Sequence, residues 1–266
     1  MTIPFIKAHG AKNDFLLTWV ADAPRCDLPA IAIAMCNRNT GVGADGWMLV
    51  TPADDEAYAS IRLFNSDGSE PEMSGNGTRC AAALLIAAGH RDRQIPIVTG
   101  AGLKRLELIS REDNRFWFQM NMGTPSIVST GPFEVAGKTL DTTILNVGNP
   151  QCAVFVDAIP DGWQALGSAI ERHPHFPNRT NVSFIRKAGD NRIDVRFFER
   201  GCGETMSSGT GSTGAAVAAI ARGLVQSPVV VDTPAGEMTL TWNGEGDASL
   251  TGPAEIVARG EFYYQQ

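Results

Sequence analysis

The chain has 266 residues, with 22 Lys and Arg against 29 Asp and Glu, and a formal net charge of −7. Its basic residues are scattered, so no stripe suits nucleic acid or an anionic membrane, and no apolar run approaches the roughly 20 residues that span a bilayer. Its five cysteines include no Cys-x-x-Cys pair and no Cys/His cluster, which argues against a disulfide framework and against a metal site.

The first half of the chain combines short strands with two helices. Apolar runs around the turn HGAKND predict a strand hairpin, with Asn13 in or beside the turn. A later strand ends in a polar turn that carries Asn65. The predicted elements are strands over 3–8 and 15–20, a helix over 28–37, strands over 47–52 and within 60–70, a helix over 74–89, and strands within 96–123.

The second half restarts near residue 126 and has the same character. Its first strands flank the turn Gly148-Asn149-Pro150, and an amphipathic helix follows for which Asp161 is the predicted N-cap. The predicted elements are a helix over 161–172, strands over 180–188 and 192–204, a helix over 208–223, strands within 228–243, and a final strand near 255–264.

An internal repeat relates these halves. Residues 74–89 read SGNGTRCAAALLIAAG and residues 208–223 read SGTGSTGAAVAAIARG, so an offset of 134 residues superposes the serine, both glycines and much of the alanine-rich run. The match extends upstream, where Arg62 falls on Arg196. A fixed offset of this kind indicates an internal duplication.

The duplication predicts an α+β fold with two pseudo-symmetric halves, each a mixed or antiparallel sheet wrapped around a central helix. From the offset alone, the N-terminal half spans 1–127 and the C-terminal half 128–254. The last strand, within 255–266, lies beyond the repeat and is expected to cross back to the first half.

The two repeated helices begin in a way that suits an anion. Ser74 and Ser208 stand where a helix N-cap belongs. Gly75 and Gly209 let the backbone approach a ligand closely. The free N–H groups and the positive end of the helix dipole favour a negative group there. Two such ends that face each other would hold one carboxylate from both sides.

Polar residues at predicted strand ends and turns suit a zwitterionic ligand. An arginine and the helix ends would take carboxylates, while amide oxygens and glutamates would take ammonium groups. The residues in this set are Asn13, Asn65, Glu70, Asn149, Asn181, Glu199, Arg200 and Glu204.

The sequence resembles the diaminopimelate epimerase family over essentially the whole chain. The motifs that carry this resemblance, in the family's order, are HGAKNDF (9–15), GVGADG (41–46), FNSDGSE (64–70), GNGTRC (75–80), GNP (148–150), FPNRTNV (176–182), ERGCGET (199–205) and GTGS (209–212). By this resemblance the two α/β halves hold the site in the cleft between them.

The resemblance implies an enzyme of lysine and peptidoglycan precursor synthesis that converts LL-2,6-diaminopimelate to the meso isomer without a cofactor or metal. Gly75, Asn76, Gly209 and Thr210 would hold the reacting α-carboxylate, and Glu199 would lie near the reacting centre. The residues expected to bind the rest of the substrate are Asn13, Asn65, Asn149, Asn181 and Arg200. A homodimer is expected, and the short apolar part of the N-terminal segment favours a cytoplasmic protein.

The sequence departs from the family at its proton-transferring positions. The family uses two cysteines, one on each face of the α-carbon, and here they are Ser74 and Ser208. The histidine that usually follows Gly-Asn-Pro is Gln151. Because an alcohol is several pK units less acidic than a thiol, forming an alkoxide costs about 7 kcal/mol more. Uncompensated, that is on the order of 10⁵ in rate.

Three explanations remain open for the two serines. The first is that both serines are introduced Cys→Ser changes, an explanation that does not account for Gln151. Alternatively the chain is a natural Ser/Ser variant, either a slow epimerase or an isomerase or racemase for another substrate with glutamate or serine as proton carrier. The third explanation is a protein that binds an amino acid without converting it.

Overall fold

The structure is a computed structural model that describes residues 1–53 and 57–265. These residues form two compact units. Unit 1 comprises Met1–Met120 together with the segment from Gly252 onward, and unit 2 comprises Asn121–Thr251. The last residue of the predicted segment 255–266 lies outside the described residues.

Unit 1 is built on a mixed sheet. Its strands are β1 (Thr2–Gly10), β2 (Asn13–Trp19), β3 (Gly46–Pro52), β4 (Ala59–Asn65), β5 (Gln94–Thr99), β6 (Gly102–Glu112) and β7 (Arg115–Gly123). The pairs β2–β3 and β4–β5 are parallel, and the pairs β1–β2, β3–β4, β5–β6 and β6–β7 are antiparallel. The predicted hairpin around HGAKND is therefore confirmed.

Two helices accompany this sheet, α1 (Leu28–Cys36) and α2 (Gly75–Ala87). Every residue of α2 from Asn76 to Ile86 is buried. From Cys80 onward its side chains are small or aliphatic on every side of the helix, a composition that suits burial in a core. On the far side of the sheet, α1 packs into a cluster that includes Ile31, Met35 and Trp47.

Unit 2 repeats the mixed pattern. Its strands are β8 (Ser126–Val135), β9 (Lys138–Asn146), β10 (Pro150–Phe155), β11 (Asn181–Gly189), β12 (Arg192–Glu199), β13 (Gly203–Thr205), β14 (Val229–Thr233) and β15 (Gly236–Thr241). The pairs β10–β11 and β12–β14 are parallel, while β8–β9, β9–β10, β11–β12, β12–β13 and β14–β15 are antiparallel. The predicted boundary between 127 and 128 falls inside β8.

The helices of unit 2 are α3 (Trp163–Glu171) and α4 (Gly209–Ala221). The predicted N-cap Asp161 is wrong, because the residue at the cap of α3 is Gly162, which makes no side-chain capping bond. Trp163 N–H instead donates to Pro160 O (3.2 Å), and the turn this closes places Gly162 at φ +70°, a conformation that glycine adopts without strain.

The last strand, β16 (Ala248–Tyr263), belongs to both units in sequence. Its first residues pair with β15 in unit 2, and residues from Glu255 onward pair antiparallel with β1 in unit 1. The chain thus passes from unit 2 to unit 1 within this strand, which begins at Ala248 rather than near 255. Among the described helices, none is long and apolar enough to cross a membrane.

Candidate active site

In unit 1, the N-terminus of α2 is capped but keeps free donors. Ser74 Oγ accepts from Gly77 N–H at 3.1 Å, as the sequence predicts. Within the described chain, the backbone N–H groups of Gly75 and Asn76 have no acceptor. They point along the helix axis with the positive end of the dipole, so they are available to an anion.

Asn76 and Asn13 lie together at this helix end. Asn76 is buried, and its Nδ2 donates to Asn13 Oδ1 at 3.3 Å. Asn13 Nδ2 in turn donates to Asp45 Oδ2 at 2.6 Å. On the other side, Arg79 Nη2 donates to Asn76 Oδ1 at 2.5 Å. The two predicted amides therefore form one chain of hydrogen bonds that is held at both ends.

A charged cluster supports Asn13 from outside. Arg38 bridges Asp14 Oδ1 (2.8 Å) and Asp45 Oδ1 (2.9 Å), and Lys7 Nζ lies 3.0 Å from Asp14 Oδ2. Burial raises the pKa of the Asp14 carboxyl, but the hydrogen bonds from Arg38 and Lys7 outweigh it and hold that pKa below its ordinary value. Asp14 is thus ionised at neutral pH.

Two other predicted residues of unit 1 make local bonds. Asn65 Nδ2 donates to Ser69 Oγ at 2.9 Å, within the turn that follows β4. Glu70 receives two hydrogen bonds from Arg62, at 2.6 and 2.8 Å. Neither side chain is hydrogen-bonded to Ser74.

In unit 2, Ser208 at the N-terminus of α4 has a carboxylate partner. Its Oγ accepts from Gly211 N–H at 3.1 Å, and its hydroxyl donates to Glu199. Thr205 Oγ1 also donates to Glu199 Oε1, at 3.0 Å. Burial raises the pKa of Glu199 above its ordinary value, and the hydrogen bonds from Ser208 and Thr205 offset this only in part. A carboxylate of this kind is a candidate proton acceptor.

The amide Gln151 supports the same helix end. It is buried, and its Nε2 donates to Asn149 Oδ1 at 2.7 Å. Asn149 Nδ2 then donates to Thr210 Oγ1 at 3.2 Å. As at α2, the first backbone N–H groups, here those of Gly209 and Thr210, have no acceptor in the described chain. Gln151 therefore orients a predicted binding residue.

Asn181 and Arg200 are brought together by a neighbouring turn. Buried Asn181 donates to Pro150 O (3.1 Å) and accepts from Arg200 N–H (3.0 Å). The Arg200 side chain is exposed and donates to Asn178 O at 3.1 Å. Glu171, buried in α3, accepts from Gly201 N–H at 3.2 Å. The turn that carries Arg200 is fixed from two sides.

Some supporting residues escaped the sequence analysis. Asp45, Arg79 and Glu171 hold predicted residues, yet each is remote in sequence from at least one of its partners. The only sequence signals were that Asp45 lies in GVGADG and Arg79 in GNGTRC. Glu204, predicted as a possible ligand residue, is exposed and accepts from Gln164 at 3.0 Å rather than reaching Ser208.

Among the described residues, metal-ligating groups and reactive thiols are not gathered at either helix end. In the part of the chain that the structure describes, no three His, Cys, Asp or Glu side chains are placed to share a metal ion. None of the five cysteines, all of which lie among the described residues, forms a disulfide bond. Burial raises the pKa of Cys80 and of Cys152 to about 12 in each case, so both remain protonated at neutral pH.

Comparisons with known proteins agree with one another. The sequence matches the family profile described as diaminopimelate epimerase over residues 5–128 and 143–257. It is 39% identical over 280 residues to the diaminopimelate epimerase of Pelotomaculum thermopropionicum, which covers 98% of this chain and 99% of the relative.

Similar folds occur among solved structures. A phenazine biosynthesis protein of the PhzF family from Bacillus anthracis superposes with a TM-score of 0.73 at 16% identity, covering 99% of this chain and 100% of that one. A hydroxyproline epimerase from Agrobacterium vitis with bound trans-4-hydroxy-L-proline gives 0.67 at 16% identity, covering 98% and 92%. At such identities these structures establish the fold alone.

Proposed function

Because the chain belongs to the diaminopimelate epimerase family, we propose that it inverts the α-carbon of LL-2,6-diaminopimelate to give the meso isomer. It is a cofactor-independent isomerase that serves the synthesis of lysine and peptidoglycan precursors. The family assignment is supported by the near full-length match to a curated relative at 39% identity.

The two helix ends supply the grip on the reacting α-carboxylate. At each end two backbone N–H groups lack an acceptor in the described chain, those of Gly75 and Asn76 at α2 and those of Gly209 and Thr210 at α4. Such donors stabilise a carboxylate, and they stabilise it further as the α-carbanion spreads negative charge into that group. Five side chains bind the remaining ammonium and carboxylate groups of the substrate. They are those of Asn13, Asn65, Asn149, Asn181 and Arg200.

The observation that carries the catalytic proposal is the hydrogen bond from the Ser208 hydroxyl to Glu199. Ser208 Oγ takes the α-proton while its own hydroxyl proton passes to the Glu199 carboxylate. The Cα–H bond and the original Ser208 O–H bond break, new O–H bonds form on Ser208 and on Glu199, and the electron pair stays on the α-carbon, so no free alkoxide is left. This transfer removes much of the roughly 7 kcal/mol by which an isolated serine is harder to ionise than a cysteine.

In the family, one proton-transferring residue acts on each face of the α-carbon. By that resemblance, Ser74 would deliver its hydroxyl proton to the carbanion and regain one from solvent. Within the described chain, no carboxylate is hydrogen-bonded to Ser74. The offset of 134 residues places Asn65 where the second repeat has Glu199. Removal of a proton on the Ser74 face is therefore the slow direction, and inversion is slower than proton exchange on the Ser208 face.

The test is proton NMR of LL-diaminopimelate in D₂O with the parent protein beside a Ser74→Cys/Ser208→Cys variant. We expect slow loss of the α-proton signal and meso product with the parent, and much faster conversion with the Cys/Cys variant. Exchange by neither protein, with substrate bound, would reduce the parent to an amino-acid-binding homologue.

The one-sided Ser208–Glu199 pair also favours a second candidate, an isomerase or racemase of the same fold that acts on another substrate. A single carboxylate supports proton removal and return on one face. Rapid α-proton exchange with retained configuration, or exchange with an unrelated amino acid only, would favour this candidate over the epimerase.

We also propose that the protein is a cytoplasmic homodimer, as the family resemblance implies. Sedimentation velocity over a tenfold range of protein concentration distinguishes this dimer from a monomer.

A further inference from the structure

Arg79 is a fully buried arginine in α2, one turn beyond Asn76. Its Nε donates to Pro253 O at 3.1 Å, and its Nη2 donates to Asn76 Oδ1 at 2.5 Å. No carboxylate of the described chain lies within ion-pair distance of it, and its Nη1 has no partner there. A buried cation without a counterion is costly, and packing alone does not explain an arginine at this position.

The geometry around Arg79 is tight. A Cβ on Gly252 would come within 2.9 Å of Arg79 Cζ, and a Cβ on Gly10 would come within 2.8 Å of Asn76 O. The backbone of β16 therefore lies close against the guanidinium, and the backbone of β1 lies close against the start of α2.

The hydrogen bonds that link Asn76 and Asn13 run in one direction, because a donor lies at one end of the chain and an acceptor at the other. A guanidinium only donates, so Asn76 must present Oδ1 to Arg79. Asn76 Nδ2 is then the group that donates to Asn13 Oδ1 (3.3 Å), and Asn13 Nδ2 donates to Asp45 Oδ2 (2.6 Å). Asp45 forms an ion pair with Arg38 and accepts the bond from Asn13. A flip of either amide would therefore break its bond to Arg79 or to Asp45.

We propose that Arg79 is a positioning residue that fixes the amide orientations of Asn76 and Asn13 for the recognition of an amino-acid head group. In the fixed orientation each amide keeps one N–H and one carbonyl lone pair for a ligand. That pairing of donors and acceptors suits a carboxylate beside an ammonium group. The positive charge of Arg79, one turn behind the free N–H groups of α2, adds to the attraction for the carboxylate.

The link between Arg79 and substrate binding rests on the proposed function. The relay, by which we mean the chain of hydrogen bonds from Arg79 through Asn76 to Asn13, can be tested without turnover. The first measurement is the side-chain amide spectrum of ¹⁵N-labelled protein, comparing the parent with Arg79→Met. We expect the Asn13 side-chain amide resonances to move although Asn13 does not touch Arg79. In Cys80→Ala, a change at the buried neighbour in the same helix, they should stay in place. If Arg79→Met folds poorly, Gly252→Ala is the second test, because its added methyl group would press on the guanidinium. It should shift the same Asn13 resonances.

The second measurement is the dissociation constant for LL-diaminopimelate by calorimetry. Arg79→Met should weaken binding about tenfold, because an amide that loses its partner is no longer held in place. In a double-mutant cycle, Arg79→Met and Asn13→Ala should be non-additive, while Arg79→Met and Asn65→Ala should be additive.

The outcomes separate the two claims. If Arg79→Met shifts the Asn13 resonances but the parent protein binds no diaminopimelate, the relay is upheld and the proposed substrate is overturned. Binding and α-proton exchange that are unchanged in Arg79→Met, with Asn13 resonances also unchanged, would overturn the relay. Additive effects of Arg79→Met and Asn13→Ala would show that Arg79 only packs.

Discussion

Glu199 and Glu204 are close in sequence, yet the structure gives them different surroundings. Glu199 accepts hydrogen bonds from Ser208 and Thr205, whereas Glu204 is exposed and pairs with Gln164. Both are candidates from the sequence, because each is an acid just before the second glycine-rich turn. Only Glu199 is placed to exchange a proton with Ser208.

We therefore expect Glu199→Gln to lower α-proton exchange by about 10²-fold or more, the usual contribution of a general base. In the parent, exchange should rise with pH through the raised pKa of Glu199, since only its ionised form accepts a proton. Rates of deuterium incorporation measured from pH 4 to 9 should show this rise in the parent and in Glu204→Gln. The same rise in Glu199→Gln would assign the base to another group.

Thermal unfolding is an independent measurement of the raised pKa of Glu199. Burial raises the pKa of folded Glu199 above its unfolded value, so the folded state holds this proton more tightly. Its contribution to stability is fully present below the unfolded pKa and is lost as pH rises through the folded pKa. Glu199→Gln should therefore unfold at a higher temperature than the parent at pH 8, and the gain should shrink at pH 4.

At the scale of elements, the repeated helices were the most predictable part of the fold. The offset of 134 residues carries Gly75 to Gly209 and Ala87 to Ala221, which are the observed bounds of α2 and α4. Both serine caps were predicted because a serine followed by glycines and an alanine-rich run is a local signal. The cap of α3 was not, because the preceding Pro160–Gly162 turn depends on the left-handed backbone of Gly162.

The cap of α2 separates helix stability from ligand binding. Ser74→Ala should lower the free energy of unfolding by about 1 kcal/mol, because Gly77 N–H loses its acceptor. Ser74→Asp should restore that stability, since a carboxylate also caps and complements the helix dipole. Its negative charge should nevertheless oppose a ligand carboxylate at the free N–H groups of Gly75 and Asn76.

Chemical unfolding and calorimetric titration with diaminopimelate measure the two effects side by side. Ser74→Ala should bind better than Ser74→Asp although it is less stable. If Ser74→Asp bound the amino acid as tightly as the parent, the α2 N-terminus would not be a carboxylate site.

At the scale of the whole molecule, the two units support their polar residues differently. In unit 1 charged groups hold both ends of the amide chain, Arg79 on one side and Asp45 with Arg38 on the other. In unit 2 the corresponding support comes from the neutral amide Gln151. Sequence motifs predicted the amides themselves. The supports could not be predicted, because Arg79 meets residues 252 and 253 only through the path of the last strand.

That dependence on the last strand gives a prediction for the whole chain. A variant that ends at Thr251 keeps the pairing of β16 with β15, where Thr239 faces Thr251 and Leu240 faces Leu250. It loses the partners of β1 from Thr2 to His9 and the carbonyl of Pro253 that accepts from Arg79. Hydrogen exchange should therefore show strong loss of protection in β1 and α2, while α4 and β10–β12 stay protected. Uniform loss in both units would mean that they unfold as one cooperative body, and full protection of β1 would show that the strand is dispensable.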